Sequence, residues 1–104
     1  MATSKEYYNF IMEQLSELEN VRSRKMMGEY IIYYKNKVIG GIYDNRFLIK
    51  PTESARNFMP DAPLELPYEN AKEMLLVENI DDRQFLAVLL NAVAEELPEI
   101  KKKR

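Results

Sequence analysis

The stretch from Arg24 to Thr52, RKMMGEYIIYYKNKVIGGIYDNRFLIKPT, constrains the fold more than any other part of the 104-residue sequence. Its runs Tyr30–Tyr34, Val38–Tyr43 and Phe47–Lys50 are rich in aromatic and β-branched residues, which are typical of strands. Three residues separate each run from the next. Connections this short join antiparallel neighbours, so the stretch predicts a meander. The RKMM segment before Gly28 adds a short fourth strand if it also pairs.

Asparagine in both connections supports this interpretation, because Asn tolerates the positive φ angles of tight hairpins. Lys35–Asn36 can form a two-residue hairpin turn, although Lys is not ideal at its first position. A three-residue turn with a bulge at Asn36 or Lys37 is the competing geometry. Asp44–Arg46 forms the second turn, since Asp and Asn both adopt positive φ.

Gly40 and Gly41 lie inside the third strand run, where glycine marks a bulge or the close approach of another backbone. A helix packed flat on the sheet is the ordinary cause of such an approach, and a ligand is the rarer one. Neither glycine belongs to a G-x-G-x-x-G or G-x-x-x-x-G-K pattern, so the sequence implies no nucleotide site.

Helical periodicity appears on both sides of the strand region. Thr3 and Glu6 form a capping-box pattern, and an apolar stripe at helical spacing continues from there to about Asn20. The residues of the stripe are Tyr7, Ile11, Leu15 and Leu18. A short helix capped by Thr52 is predicted to end at Pro60.

The rest of the chain completes a mixed pattern of helices and strands. After a proline-rich loop, Glu73–Glu78 is predicted to form a last, internal strand. Asp81 and Gln84 repeat the capping-box pattern before a long amphipathic helix that ends at Pro98. The order is helix, three or four strands, short helix, strand and helix. This order indicates one two-layer α+β domain over residues 1–100, with the helices on one face of an antiparallel meander sheet.

The strand YIIYY is apolar on both faces. Tyr30, Ile32 and Tyr34 share one face, and Ile31 and Tyr33 share the other. A sheet with one solvated face normally alternates apolar and polar residues more regularly. The second apolar face therefore indicates homodimerisation or the binding of another protein. In the competing interpretation, the tyrosine rings are half exposed with hydrated hydroxyl groups.

The composition narrows the chemistry. The sequence has no Cys and no His, which removes thiolate nucleophiles, disulfides and the commonest general base and transition-metal ligand. We expect no metal, no nucleotide or other cofactor, and no enzymatic activity. The carboxylate pairs Asp81–Asp82 and Glu95–Glu96 lie where caps and solvated helix faces are expected, which is not where catalytic carboxylates are expected.

Because the sequence shows no signal-peptide core and no membrane-spanning apolar run, we expect a cytoplasmic protein without membrane contact.

Charge is segregated along the chain, although the net charge is only −2. Residues 21–50 hold seven Lys or Arg against two acids, whereas residues 51–100 hold eleven acids against three Lys or Arg. The basic segment can attract an anionic partner, or it can face the acidic helices within the domain. Residues 101–104, KKKR, are expected to form a disordered basic tail.

A nucleic-acid-binding function would combine basic residues with stacking aromatic side chains. The residues available for it are Arg22, Arg24, Lys25, Lys35, Lys37, Arg46, Tyr30, Tyr33, Tyr34, Tyr43 and Phe47.

Three separated segments resemble the TfoX N-terminal domain family. They are RKMMGEYIIYYKNKVIGGIYDNRFLIKPT, LPYENAKEMLLVE and DDRQFLAVLLNAVAEELP. They occur in the family's order and extend from about Val21 to Pro98. Met27 stands where an aromatic residue is usual, and Phe85 stands where Trp is usual. Full-length competence regulators of the family carry a second, C-terminal domain without a counterpart here, so the chain resembles a single-domain member.

The resemblance implies a bacterial protein related to regulators of competence genes, which in some relatives act with the cyclic-AMP receptor protein. It implies protein–protein interaction in transcription regulation, with direct nucleic-acid binding as the alternative. We therefore expect a homodimer or a transcription-factor partner. The candidate partner-binding residues come from the family motif and the doubly apolar strand, and they are Arg24, Lys25, Glu29, Ile32, Tyr33 and Lys50. Gly28 is expected to serve a turn or a bulge, and Glu29 to pair with Arg24 or Lys25.

Overall fold

The computed structural model describes residues 3–98, which fold into an open six-stranded sheet with three helices. The elements are α1 (Lys5–Gln14), β1 (Val21–Met26), β2 (Glu29–Tyr34), β3 (Lys37–Ile42), β4 (Phe47–Ile49), α2 (Glu53–Phe58), β5 (Leu64–Glu65), β6 (Met74–Leu76) and α3 (Arg83–Glu96). Neighbouring strands pair antiparallel in the order β1-β2-β3-β4-β6-β5. The predicted α+β fold with an antiparallel meander is confirmed. The tail predicted at 101–104 lies outside the described residues.

Three two-residue turns connect the first four strands. Their central residues all have positive φ: 52° and 85° at Met27–Gly28, 54° and 62° at Lys35–Asn36, and 52° and 57° at Asp44–Asn45. A type I′ turn requires positive φ at both positions, and its twist matches that of the flanking strands. Tyr43 and Arg46 flank the third turn and exchange both backbone hydrogen bonds, at 2.8 and 3.0 Å. The two-residue turn at Lys35–Asn36 is therefore correct, and the three-residue alternative is wrong.

The segment before Gly28 forms a full six-residue strand, β1, instead of a short one. Its register with β2 runs without a break from Val21 opposite Tyr34 to Met26 opposite Glu29. The sequence VRSRKM lacks apolar alternation, so its strand character is hidden at the sequence level. The short strand β5 is also unexpected, because it lies inside the predicted proline-rich loop. Strand β6 is internal between β4 and β5, as predicted.

Helix α1 begins one residue later than predicted. The Ser4 hydroxyl accepts a hydrogen bond from the Tyr7 amide at 3.1 Å, so Ser4 is the cap and the predicted Thr3 cap is wrong. The helix ends at Gln14, earlier than the predicted Asn20. The chain then continues through turns to Asn20, whose φ is 67°.

The other two helices have similar caps. The Asp82 carboxylate accepts a hydrogen bond from the Phe85 amide at 3.0 Å, so Asp82 replaces the predicted Asp81 as the cap of α3. The predicted cap of α2 is confirmed, because the Thr52 hydroxyl accepts a hydrogen bond from the Ala55 amide at 3.2 Å.

The hydrophobic core lies between the helices and one face of the sheet. The Tyr8 ring stacks on Tyr30 with centroids 3.9 Å apart, and the Tyr34 hydroxyl donates to Asn91 Oδ1 at 2.9 Å. These contacts place alternate residues of β2 on the helical side. The buried core includes Ile11, Leu15, Ile32, Ile39, Ile42, Phe47, Ile49, Leu86, Leu89, Leu90 and Val93. The helices therefore lie on one face, as predicted.

Part of the basic strand segment faces the helices. Lys37 Nζ donates to the Ala94 carbonyl at 2.6 Å, at the end of α3 where the helix dipole is negative. Lys35 Nζ donates to Asn91 Oδ1 at 3.1 Å. Both lysines thus bond to α3 of the same domain. At this end of the sheet, this supports the interpretation that the basic segment faces the helices within the domain.

The two glycines of β3 allow neighbouring strands to approach. A Cβ atom on Gly40 would lie 2.1 Å from the Leu48 carbonyl oxygen, and one on Gly41 would lie 2.5 Å from the Tyr30 carbonyl oxygen. The expected bulge is present as well, because Ile39 is the extra residue where the β2–β3 register shifts. The ordinary cause predicted for the close approach, a helix lying on the strand, is wrong. The nearest atoms belong to adjacent strands.

Replacing Gly40 by Ala tests this close contact. Because the nearest atom is a backbone oxygen, the strands must separate, and we expect destabilisation of about 1–3 kcal/mol. For a domain of this size, each kcal/mol lowers the melting temperature by roughly 4–8 °C. Thermal unfolding followed by circular dichroism measures the change. Val88→Ala at an exposed position of α3 is the control and should change the melting temperature little. A Gly40→Ala melting temperature equal to that of wild type would contradict the packing described here.

Candidate functional site

The sheet face opposite the helices is only partly covered. We call its part over β1, β2 and β3 the open face. Strand register places on it the side chains of Arg22, Arg24, Met26, Glu29, Ile31, Tyr33, Val38 and Tyr43. Ile31 and Tyr33 are half-buried there, although the helices lie on the other side. The open face thus combines two arginines at the sheet edge with an apolar and aromatic centre.

The segment 66–73 covers the far part of this face, over β4 and β6. Pro67 is buried in the segment, and the ring of Tyr68 lies 5.9 Å from that of Tyr43, measured between centroids. Leu48 is fully buried, although it does not belong to the core that lies between the sheet and the helices. The sequence predicted a second face without cover. The structure leaves it uncovered over β1 and β2 and covers it over β4.

An apolar groove of about 700 Å³ opens on the uncovered part. Its lining residues are Met26, Met27, Glu29, Tyr30, Ile31, Tyr43 and Tyr68. Met27 is 98% exposed at the tip of the β1–β2 hairpin. The sequence offered a sign of this site in its two adjacent methionines beside a turn, where no core is expected. Tyr68 had no such sign, because it lies in a loop without periodicity.

Glu29 lines this groove, and hydrogen bonds fix its carboxylate. Its Oε1 accepts hydrogen bonds from the Thr3 hydroxyl at 2.6 Å and from the Asp44 amide at 3.1 Å. Within residues 3–98, no ion pair includes Glu29, so the predicted pairing with Arg24 or Lys25 is wrong. Glu29 instead ties the N-terminal segment and the β3–β4 turn to the first hairpin.

The six candidate partner-binding residues do not lie together. Arg24 and Tyr33 are on the open face, with Glu29 beside the groove. Lys25 is exposed but pairs with Tyr30, so its side chain is on the helical side of the edge strand. Ile32 is 0% exposed within the core. Its side chain is therefore inaccessible to a partner of the folded domain, and Ile31 takes its place on the open face.

Lys50, the sixth candidate, lies in a second groove. This groove has a volume of about 480 Å³ and is separated from the first by the Tyr43–Tyr68 pair, which lines both. Its other lining residues are Val38, Gly40, Pro51, Pro67, Ala71, Lys72, Glu73 and Met74. The two grooves thus lie on either side of one aromatic ridge.

The residues considered for nucleic-acid binding are dispersed over the domain. Lys35 and Lys37 contact α3, and Arg46 forms an ion pair with Glu65 at 2.8 Å. Three of the aromatic residues, Tyr30, Tyr34 and Phe47, are buried. Only Arg22, Arg24, Tyr33 and Tyr43 share the open face. The basic and aromatic residues that the sequence offers for nucleic-acid binding therefore do not form one continuous surface.

Among residues 3–98, no group of three or more His, Cys, Asp or Glu side chains is arranged to hold a metal ion. Within the same range, each helix is too short or too polar to traverse a lipid bilayer.

This geometry defines a class of small α+β domain, with helices on one side of an antiparallel sheet and an apolar groove on the other. Residues 13–96 match the TfoX N-terminal domain family, and the chain belongs to that family. It is 33% identical over 105 residues to an uncharacterized 12.7 kDa protein in the trpE 5′ region of Spirochaeta aurantia. That similarity covers 100% of this chain and 91% of the relative. No solved structure shows significant similarity to the chain. The predicted family is confirmed.

The environment of Tyr43 in the aromatic ridge leads to a prediction for alkaline pH. Burial raises the pKa of Tyr43 above its ordinary value of 10.0, and the nearby Tyr68, Glu29 and Tyr33 raise this pKa further. Because the folded-state pKa is raised, the stabilising contribution is complete below pH 10 and is lost as pH rises through the raised pKa. Ultraviolet titration of tyrosinate should therefore show a late component that is smaller in Tyr43→Phe. The stability of this variant should also fall less steeply above pH 10. Identical titration curves would contradict the buried environment of Tyr43.

Proposed function

We propose that this domain is a non-enzymatic protein-interaction module of bacterial transcription regulation, and that it binds its partner through the open face. The regulatory part of the proposal rests on the family, because the sequence resembles domains of competence-gene regulators. The non-enzymatic part rests on the sequence, which offers no His or Cys for catalysis. The expected location is the cytoplasm, where transcription takes place in bacteria.

The observation that supports an interface best is the apolar centre of the open face. Ile31 and Tyr33 lie on the side of the sheet away from the helices, and Ile31 lines a groove together with methionine and tyrosine residues. Methionine and aromatic residues are enriched in the central parts of protein–protein interfaces. A groove of this composition and exposure therefore suits a protein surface better than a polar ligand.

The partner is either a second copy of the chain or a transcription factor of the cyclic-AMP receptor protein type. The apolar centre of the open face supports the first, and the resemblance supports the second. Direct nucleic-acid binding is the weaker alternative. Lys35, Lys37 and Arg46 are already engaged with other groups of the domain. Residues 51–100 also carry eleven acids against three Lys or Arg, and this negative excess would repel a long polyanion.

The proposal predicts that a charge at the centre of the open face abolishes association. Tyr33→Asp removes the tyrosine ring from the apolar centre and places a carboxylate there, whose desolvation in an interface is costly even beside Arg22. Static light scattering should show a dimer of the wild type, or calorimetry should show binding to purified cyclic-AMP receptor protein. In either case Tyr33→Asp should lose the association.

Val88→Asp is the matched control, because Val88 is apolar and 53% exposed on α3. This variant should associate as the wild type does, and circular dichroism checks that both variants are folded. Titration with duplex DNA runs in parallel. Wild-type protein that binds neither itself nor the receptor protein contradicts the proposal. Salt-sensitive DNA binding that is lost in Arg24→Glu would support the nucleic-acid alternative instead.

A further inference from the structure

Strand β1 is an edge of the sheet with a free side. It pairs only with β2 in the described part of the chain, and four of its six residues are exposed. The exposed residues are Arg22, Arg24, Lys25 and Met26. An extended strand with an unpaired edge is a template for a further strand. β1 is three times longer than β5, the two-residue strand at the other edge.

The hairpin geometry shows which backbone groups are available at this edge. In a two-residue hairpin the pair that flanks the turn exchanges both backbone hydrogen bonds, and bonded pairs then alternate along the ladder. Met26 and Glu29 flank the Met27–Gly28 turn. The backbone groups of Met26, Arg24 and Arg22 therefore point towards β2. Those of Ser23 and Lys25 point outwards, where they can bond a new strand.

The charge along this edge is positive and has no acidic partner among residues 3–98. Arg22 and Arg24 are two residues apart, so their side chains project on the open face, and Lys25 projects on the other side. The ion pairs of the described chain involve Arg46 and Arg83 only. Arg22 donates to the neutral Asn36 Oδ1 at 2.9 Å. The edge thus offers three cations that a carboxylate-bearing strand can neutralise.

The same charges act against a second copy of β1. If two β1 strands pair antiparallel with their helices on the same side, a register centred on Ser23 places Arg22 opposite Arg24 of the other copy. A register centred on Arg24 places that residue opposite itself. Like charges directly opposite each other destabilise a sheet, so the occupant is not another β1 strand.

We propose that the β1 edge binds an extended acidic peptide segment of a partner protein, which adds a seventh strand to the sheet. This inference rests on the proposed function as an interaction module and names the chemistry of its partner. The backbone of the peptide bonds to Ser23 and Lys25. Its alternate side chains lie on the open face, opposite Arg22 and Arg24, where they form cross-strand ion pairs.

The register also specifies the order of residues in an antiparallel peptide. The residue opposite Met26 comes first, the residue opposite Arg24 comes two positions later, and the residue opposite Arg22 comes two positions after that. Met26 lines the apolar groove together with Met27 and Ile31. The preferred core is therefore apolar–x–acidic–x–acidic, with the apolar side chain at the groove.

A fluorescent peptide with the core Leu-Thr-Glu-Thr-Glu tests the proposal by anisotropy with the intact protein. The wild type should bind it in a salt-sensitive manner, and should bind a Leu-Thr-Lys-Thr-Lys peptide at least about tenfold more weakly because like charges repel. Arg24→Glu should weaken binding of the acidic peptide by about tenfold or more. Arg56→Glu, an exposed charge reversal on α2, is the matched control and should not.

A second pair of variants separates strand addition from charge attraction alone. Lys25→Pro removes the outward amide without removing a bond to β2, and proline is tolerated at such edge positions. Lys25→Ala removes the same charge and keeps the amide. We expect Lys25→Pro to bind the acidic peptide several-fold more weakly than Lys25→Ala, with both variants folded by circular dichroism.

The outcomes are distinct from those of the proposed function. Equal binding by Lys25→Pro and Lys25→Ala, equal binding of both peptides, or no binding would overturn the strand-addition proposal. Displacement of the peptide by a single-stranded oligonucleotide that binds Lys25→Pro undiminished would also overturn it, in favour of nucleic acid. If the acidic peptide does not bind while Tyr33→Asp still loses association, only the strand-addition proposal fails. If the peptide binds but Tyr33→Asp associates normally, the open-face interface fails.

Discussion

The register of the first hairpins decides which face each residue of the meander occupies. In a strand, a slip of one residue exchanges the two faces. Both faces of β2 are apolar, so burial by itself discriminates weakly between the two registers. The choice is made by tight turns with positive φ, such as Lys35–Asn36, and by polar contacts on one side. The Tyr34 hydroxyl donates to Asn91 on α3, whereas Tyr33 faces away from the helices. The position of the open face depends on this register.

Much of the fold was predictable from local patterns, and the exceptions have tertiary causes. Strands with β-branched and aromatic residues, and helices with apolar stripes, are recognisable from the sequence. The caps of α1 and α3 were each displaced by one residue, because Thr3 and Ser4, like Asp81 and Asp82, are both good caps. The contact between the Thr3 hydroxyl and Glu29 decides the first case. Strand β1 has no apolar alternation because it lies at an edge.

The candidate site was predictable only in part. The period of two in β2 separates Ile31 from Ile32, but it does not show which of them meets the helices. Neighbouring layers decide this, and they bury Ile32. The cover of the second face comes from segment 66–73, a loop whose path leaves no periodic pattern in the sequence. Arg24 was identified from the family motif and Tyr33 from the doubly apolar strand, and the register of β1 with β2 places both on the open face.

The two candidate surfaces share the β1–β2 hairpin, and the edge charges have two consequences there. An exposed edge strand risks pairing with another copy, and charged side chains on the edge oppose this pairing. Arg22 and Arg24 provide that protection, but they also attract carboxylates at the same spacing. None of the residues of β1 is buried, and the strand has one neighbouring strand among residues 3–98, so we expect its local stability to be low. A partner strand would bind only the paired hairpin and would therefore stabilise it. The residues that exclude self-pairing are thus the ones that select an acidic partner.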